Sequence, residues 1–401
     1  MSAVSRYLRG LSVALGSALL GCILINLWVD PWRVTPTPLS SETLEPYRDI
    51  SSQIRTGKCG LVRSASSIGV ALIGSSRVAN GLDPLDPRWA RDDVYNLACP
   101  AGFIYETDAM FRYLVERHQP ELVIIGIDPG DLSSDFDSRV VGDYAASPLG
   151  PERLALDRQI RYLTGVSTLE ASIQTLHRKS AGQLPQYDSR GLRRRRPPLP
   201  FSQLEFLARA LEGEKMFDFP EAGRLDGALL PEKAELLAGI ITTCRERDIR
   251  LILFIHPEHA LVHARADSPP LLPYSAERRA ITEIVAGMNQ DAPTDQHVDL
   301  WDFGDFHPIN CDPLPADEQD RMKYWLDFNH FTLEIGGVML ARMLGWPVEL
   351  EIGEDYGTRL TPDTFDSWVE RSKQGYRRYV EGPGRDDLAW RRRVVKGTDD
   401  E

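Results

Sequence analysis

Five short runs between residues 70 and 303 restrict the architectures open to this chain: VALIG (70–74), DVYNLAC (93–99), ELVIIGID (121–128), RLILFIH (250–256) and HVDLWDF (297–303). Successive side chains of a strand point to opposite faces, so runs that are apolar at consecutive positions require burial on both faces. Helical patterns fall between them, near 103–118 and 231–247. Apolar strands joined by helical crossovers predict an α/β protein, a three-layer α/β/α sandwich with a central, mostly parallel five-stranded sheet. With 401 residues, 42% of them hydrophobic, the chain has material for a sizeable core.

A different pattern precedes this region. From Gly10 to Val29 the chain runs GLSVALGSALLGCILINLWV, 20 residues without a charge, which is the length a helix needs to cross a bilayer. Arg6 and Arg9 precede it and Trp28 and Trp32 mark its far end, so the expected orientation holds residues 1–33 as a cytoplasmic N-terminus plus transmembrane signal anchor. Everything beyond it then lies outside the cytoplasm. A cleaved signal peptide would be shorter and end in small residues, whereas Ile23, Leu24 and Ile25 continue into Trp28. LLGC (19–22) also has the form of a lipidation site at Cys22, although strongly apolar residues follow it.

Residues 34–67, rich in Pro, Ser and Thr, read as a membrane-proximal linker. The folded domain is expected over 68–350, interrupted at 131–230 by an insertion or cap with helices near 151–180 and 201–214. The centre of that insertion, with Arg193 to Arg196 and its prolines, reads as an exposed loop. Residues 351–401 read as a peripheral helix near 362–380 and a fraying charged tail. The net charge of −13 excludes a general nucleic-acid binder, because phosphate contacts require a basic surface. Cys59, Cys99, Cys244 and Cys311 lack zinc-like spacing and permit either one or two disulfides or buried free thiols.

The first run breaks at Gly74-Ser75-Ser76-Arg77, the carboxyl end of the first strand, and ligands of parallel α/β sheets collect at that rim. Such a sequence is also ordinary turn chemistry. A serine nucleophile requires a general base, and the base requires a group to orient its ring. DFNH (327–330), following the last strand, supplies both: Asp327 and His330 lie three residues apart, one turn's reach, with the other ring nitrogen free for Ser76. A rival feature is FIHPEHALVH, in which His256, His259 and His263 surround Glu258 with spacings that admit a metal site. The preferred reading places His256 and His259 in the substrate pocket, with no metal.

Taken in order, Gly-x-Ser after strand one, the Asn96-initiated NLACPAG after strand two, a Gly-x segment after strand three and Asp-x-x-His near the end resemble the SGNH (GDSL-type) hydrolases. With GSSR and one N-terminal anchor, the chain is similar to extracytoplasmic members such as alginate O-acetyltransferases and the teichoic acid D-alanine transfer protein. The resemblance covers roughly residues 68–350 and implies a flavodoxin-like fold in which Ser76 is the nucleophile, His330 the base and Asp327 its partner. It further implies that the Gly102 amide joins the oxyanion hole and that the Asn96 segment lines the site. The third block departs from the pattern: GIDPGD places Asp128 where an asparagine is expected. Asp128 is then protonated, or binds a substrate hydroxyl, or the hole is built from backbone amides with help from Arg77.

The function implied is cofactor-free, serine-dependent acyl transfer or ester hydrolysis on a cell-envelope or exported polysaccharide. Its implied setting is a bacterial inner membrane with the body in the periplasm. The expected partners are an acylated carbohydrate or polysaccharide, the lipid bilayer through residues 10–29, and a multi-span membrane acyltransferase; the alternative is a non-catalytic scaffold subunit.

Overall fold

The computed structural model describes residues 3–35, 37–194, 201–213, 228–263 and 275–396. Arg195, Arg196 and the prolines after them lie outside the described residues. Along the chain run α1 (Ala3–Val29), α2 (Ile54–Ser64), β1 (Val70–Ile73), α3 (Ser76–Gly81), β2 (Val94–Asn96), α4 (Ile104–Val115), β3 (Leu122–Ile127), α5 (Ala155–Thr164), α6 (Val166–Ala181) and α7 (Gln203–Gly213). There follow α8 (Pro231–Glu246), β4 (Arg250–Ile255), α9 (Ala260–His263), α10 (Ser275–Gln290), β5 (Asp299–Asp302), α11 (Leu333–Leu344), β6 (Thr358–Arg359), α12 (Pro362–Glu381) and α13 (Gly384–Lys396). They form two compact units, one from residues 1–67 and 139–196, the other from 68–138 and 197–401.

The larger unit is built on a sheet of order β2-β1-β3-β4-β5-β6, parallel except at its last pair. The expected five strands become six because Arg359 and Thr358 pair antiparallel with Trp301 and Asp302. A two-residue strand leaves no periodicity to read. Every residue of β1 and all but the first of β3 and β4 are buried, so both faces of the sheet are covered. The chain moves from β1 outward to β2 and then returns to place β3 on the other side of β1. That reversal is the topological switch point, the rim at which ligands of open α/β sheets bind.

Two glycines permit close approaches near this rim. Gly74 has φ +147°, and a Cβ there would press on the Val78 side chain and the Gly126 carbonyl. Gly336 lets α11 lie directly on α3, since a Cβ would collide with the Gly81 carbonyl oxygen. The tail does not fray after 380 as its charge pattern suggests: α13 follows, with Leu388 buried and Asp387 accepting from the Tyr379 hydroxyl at 2.9 Å.

The smaller unit corrects the reading of residues 34–67 as a linker. α2 is buried along most of its length, the Asp143 carboxylate accepts from the backbone amides of Arg55 and Thr56 at its start, and Lys58 donates to the Gly191 carbonyl at 2.6 Å. Its apolar centre contains Trp32, Val34, Tyr162 and Ala171. Of the described residues in the expected insertion, 139–194 belong to this unit, whereas 131–138, 201–213 and 228–230 belong with the sheet. The predicted helix at 151–180 is two helices, α5 and α6, broken at Gly165. α1 is exposed along most of its apolar length, and its last turns pack on α5 and α6. All five cysteines are free thiols.

Gly336→Ala should destabilise the protein by about 1–3 kcal/mol, because backbone cannot yield as a side chain can. Gly287→Ala, in α10 with nothing within 4 Å, should be neutral or stabilising by up to about 1 kcal/mol. Urea denaturation of both variants checks the contrast; equal midpoints would contradict the α3–α11 contact.

Candidate active site

Each of the two serines after β1 has a distinct environment. Ser75 is the buried N-cap of α3, its hydroxyl accepting from the Arg77 amide at 3.3 Å. Ser76, the first residue of the helix, is half-buried, and its Oγ lies 2.8 Å from His330 Nε2. Its backbone amide has no hydrogen-bond partner among the described residues, as expected for a helix's first turn.

His330 stands in a short turn closed by the Trp325–Phe331 bridge and by the Leu326 amide donating to the His330 carbonyl at 2.8 Å. Its Nδ1 lies 2.9 and 2.8 Å from the two oxygens of Asp327. Asp327 Oδ1 also accepts from the backbone amides of Asn329 and His330, both at 2.8 Å, which holds the carboxylate in place. A carboxylate on Nδ1 fixes the proton there and leaves the Nε2 lone pair for the Ser76 hydroxyl. The DFNH turn is also held from outside. Gln203 of α7 donates to the carbonyls of Trp325 and Leu326 and accepts from the Met322 amide, and the His259 amide donates to the Phe328 carbonyl at 2.9 Å.

Beneath Ser76 lies a buried charge network centred on Arg77. Its Nε is 3.0 Å from Asp128 and its Nη2 is 2.6 Å from Glu258. Nη2 also donates to Asn329 Oδ1 at 3.3 Å. Burial alone would lower the guanidinium's pKa, but Glu258 and then Asp128 outweigh it and raise it. Burial opposes ionisation of Glu258 as well, and there Arg77 and His263 prevail, holding its carboxyl well below the usual range. Asp128 goes the other way: burial pushes its pKa up despite Arg77 and a hydrogen bond with Ser75.

Several expected contributors are placed elsewhere. The Gly102 amide donates to the Cys99 carbonyl at 2.9 Å, so it closes a turn and is not free as an oxyanion donor. Asn96 is fully buried and donates to the carbonyls of Val78 and Leu82, tying β2 to α3 and the residue after it. His259 is fully buried, with Nε2 2.6 Å from the Asp312 carbonyl and Nδ1 accepting from the Leu261 amide. It braces a loop, with both ring nitrogens taken up by backbone groups. His256 is also fully buried, packed edge-on against Phe254, with its Nε2 4.0 Å from Asp128. Both of its ring nitrogens lack a hydrogen bond among the described residues, and burial, then Arg77, keep the ring neutral. His263 faces Glu258 at 2.8 Å. The three histidines thus turn to three different neighbours, and no group of three metal-ligating side chains converges among the described residues.

Asn329, Glu258 and Gln203 were not assigned these places from the sequence. Asn329 is the most consequential: Arg77 can only donate, so Oδ1 of the amide faces it and the NH2 group is left without a partner among the described residues, one residue from His330.

No protein-family model matches this chain, and no curated protein matches its sequence. Among solved structures it is similar to the crystal structure of a "putative acylhydrolase" from Bacteroides fragilis NCTC 9343, with 11% identity and a TM-score of 0.32, covering 71% of this chain and 90% of that one. At that level the similarity bears on neither activity nor substrate.

The hydrogen bonds of His259 require a neutral ring with its proton on Nε2, since a carbonyl only accepts and an amide N–H only donates. Burial lowers its pKa to about 4. The unfolded chain therefore takes up this proton first as pH falls, so the residue's contribution is present above about pH 6.5 and is lost as pH falls toward 4. A long-range proton–nitrogen NMR spectrum at pH 7 should show one imidazole fixed as this tautomer and unprotonated down to about pH 5; titration near pH 6.5 would contradict the assignment.

Proposed function

We propose that the protein is a serine-dependent acyl-transfer enzyme, an ester hydrolase or O-acyltransferase with Ser76, His330 and Asp327 as its triad. The observation that carries this reading is the pair of contacts on one imidazole: Nε2 to Ser76 Oγ at 2.8 Å and Nδ1 to Asp327 at 2.8 Å. Serine is not nucleophilic as a neutral hydroxyl, and a base held in that tautomer is what activates it. Ser76 Oγ attacks the ester carbonyl carbon while its proton passes to His330 Nε2. Collapse of the tetrahedral intermediate expels the alcohol, which takes the proton back, and leaves an acyl-serine. Water or another hydroxyl, deprotonated by His330 Nε2, then attacks the acyl carbonyl carbon; the bond to Ser76 Oγ breaks, Oγ takes the proton back from His330, and the acyl group leaves on the new oxygen.

The developing oxyanion is stabilised by the free amide of Ser76 and by the Asn329 side-chain NH2. In this reading Arg77 serves to orient Asn329, and Asp128 balances charge instead of donating to the oxyanion. The polymer acceptor and the periplasmic setting follow from the sequence resemblance and from α1, whose length and apolar composition suit a membrane anchor. A single span cannot carry an acyl donor across a bilayer, so the transferase form works with a multi-span membrane partner. Purification in mild detergent should retain such a partner, and repeated recovery of this chain alone would favour the esterase.

A fluorophosphonate probe should label Ser76 in the intact protein, read by peptide mass spectrometry, and Ser76→Ala should abolish labelling. Asp327→Asn should lower turnover of an activated acetyl ester by about four orders of magnitude through loss of the correct tautomer. Asn329→Ala should lower it about 100- to 1000-fold. A folded protein with no labelling and no turnover would overturn the enzymatic reading in favour of a scaffold.

A further inference from the structure

We infer that the α5–α6 corner is a membrane-inserted hairpin, dipping into the outer leaflet of a phospholipid bilayer alongside α1. The inference rests on α1 as a membrane span and is independent of the chemistry at Ser76.

The argument starts with where α1 touches the corner. Asn26 Nδ2 donates to the Leu163 carbonyl at 3.0 Å, Asn26 Oδ1 accepts from Ser172 at 3.0 Å, and Cys22 Sγ lies 3.9 Å from the Thr164 carbonyl. The uncharged run of α1 extends from Gly10 to Val29. Cys22 is therefore about 10 Å below the upper end of that run at 1.5 Å per residue, and a corner held against it cannot remain in bulk water once α1 spans the bilayer. Interfacial segments bury their apolar faces to about the same depth.

The composition of the corner fits that position. From Tyr162 to Leu169 the sequence YLTGVSTL has no charge, and Arg161 and Glu170 bound it on either side. Val166 at its tip is 80% exposed, and Ile160 and Ile173 on the two arms are more than half exposed. Leu19, Leu20 and Leu24 lie within one turn of Cys22 on α1 and are likewise exposed, so apolar exposure on α1 and on the corner falls at the same level of the helix. Asn26, the one amide side chain of the α1 apolar run, is buried and satisfied by the hairpin, as a polar group at membrane depth must be. Cleavage of α1 as a signal peptide anywhere before Val29 and after Asn26 would remove this clamp.

The test places the photoreactive residue p-benzoylphenylalanine at Val166, or at Leu19 as the α1 reference, in the full chain reconstituted into nanodiscs of phosphatidylethanolamine and phosphatidylglycerol. Irradiation followed by mass spectrometry should give a phospholipid adduct at both positions. An adduct at 19 with none at 166 overturns the hairpin and leaves the anchor standing. Adducts at neither overturn both. In native membranes, cross-linking of position 166 to another polypeptide instead of lipid would assign the surface to a protein partner and overturn the inference.

Discussion

The site depends on one buried guanidinium. Arg77 leaves the start of α3 and meets Asp128 at the end of β3, Glu258 just after β4, and Asn329 in the turn that carries His330. Removing a charge from water is costly, so a buried arginine persists only where its partners are held in place. Deleting one partner of such a pair typically costs about 3–5 kcal/mol. The same constraint therefore fixes three strand ends relative to one another and sets Ser76 against a histidine 254 residues away in sequence.

That arrangement accounts for the departure at Asp128. A carboxylate there faces the guanidinium and Ser75, and a side-chain amide would leave Arg77 with one anionic partner instead of two. The Asn329 amide is oriented from the other side by a hydrogen bond that only its oxygen can accept, which turns its NH2 group away from Arg77. The DFNH turn reaches its geometry through contacts on several sides: Arg77, Gln203, the His259 amide and its own Asp327. Contacts of this kind hold the His330 ring against the Ser76 hydroxyl with little further ordering required.

The smaller unit shows the same principle applied to a segment with the composition of a targeting signal. Sequence hydropathy reads α1 by what is absent from it, namely charge, and so treats its end as interchangeable apolar residue. Asn26 is the exception, and its partners at Leu163 and Ser172 lie more than 130 residues away. Residues 34–67 were obscured in the same manner, since α2 is stabilised by Asp143 at its start and by buried polar contacts of Lys58 instead of by an apolar stripe.

The sequence by itself determined the five principal strands, the crossover helices that became α4 and α8, and the rim at which Ser76, Asp327 and His330 were sought. Those features depend on local hydrophobic periodicity and on turn residues, which are properties of neighbours in the chain. Tertiary structure alone decided that the Gly102 amide closes a turn, that Asn96 ties β2 to α3, that His259 braces a loop, and that the Asn329 NH2 group has no partner among the described residues. Each of these is a choice of hydrogen-bond partner between segments distant in sequence. A residue's type states how many donors and acceptors it has, whereas only the packed fold states where they are used.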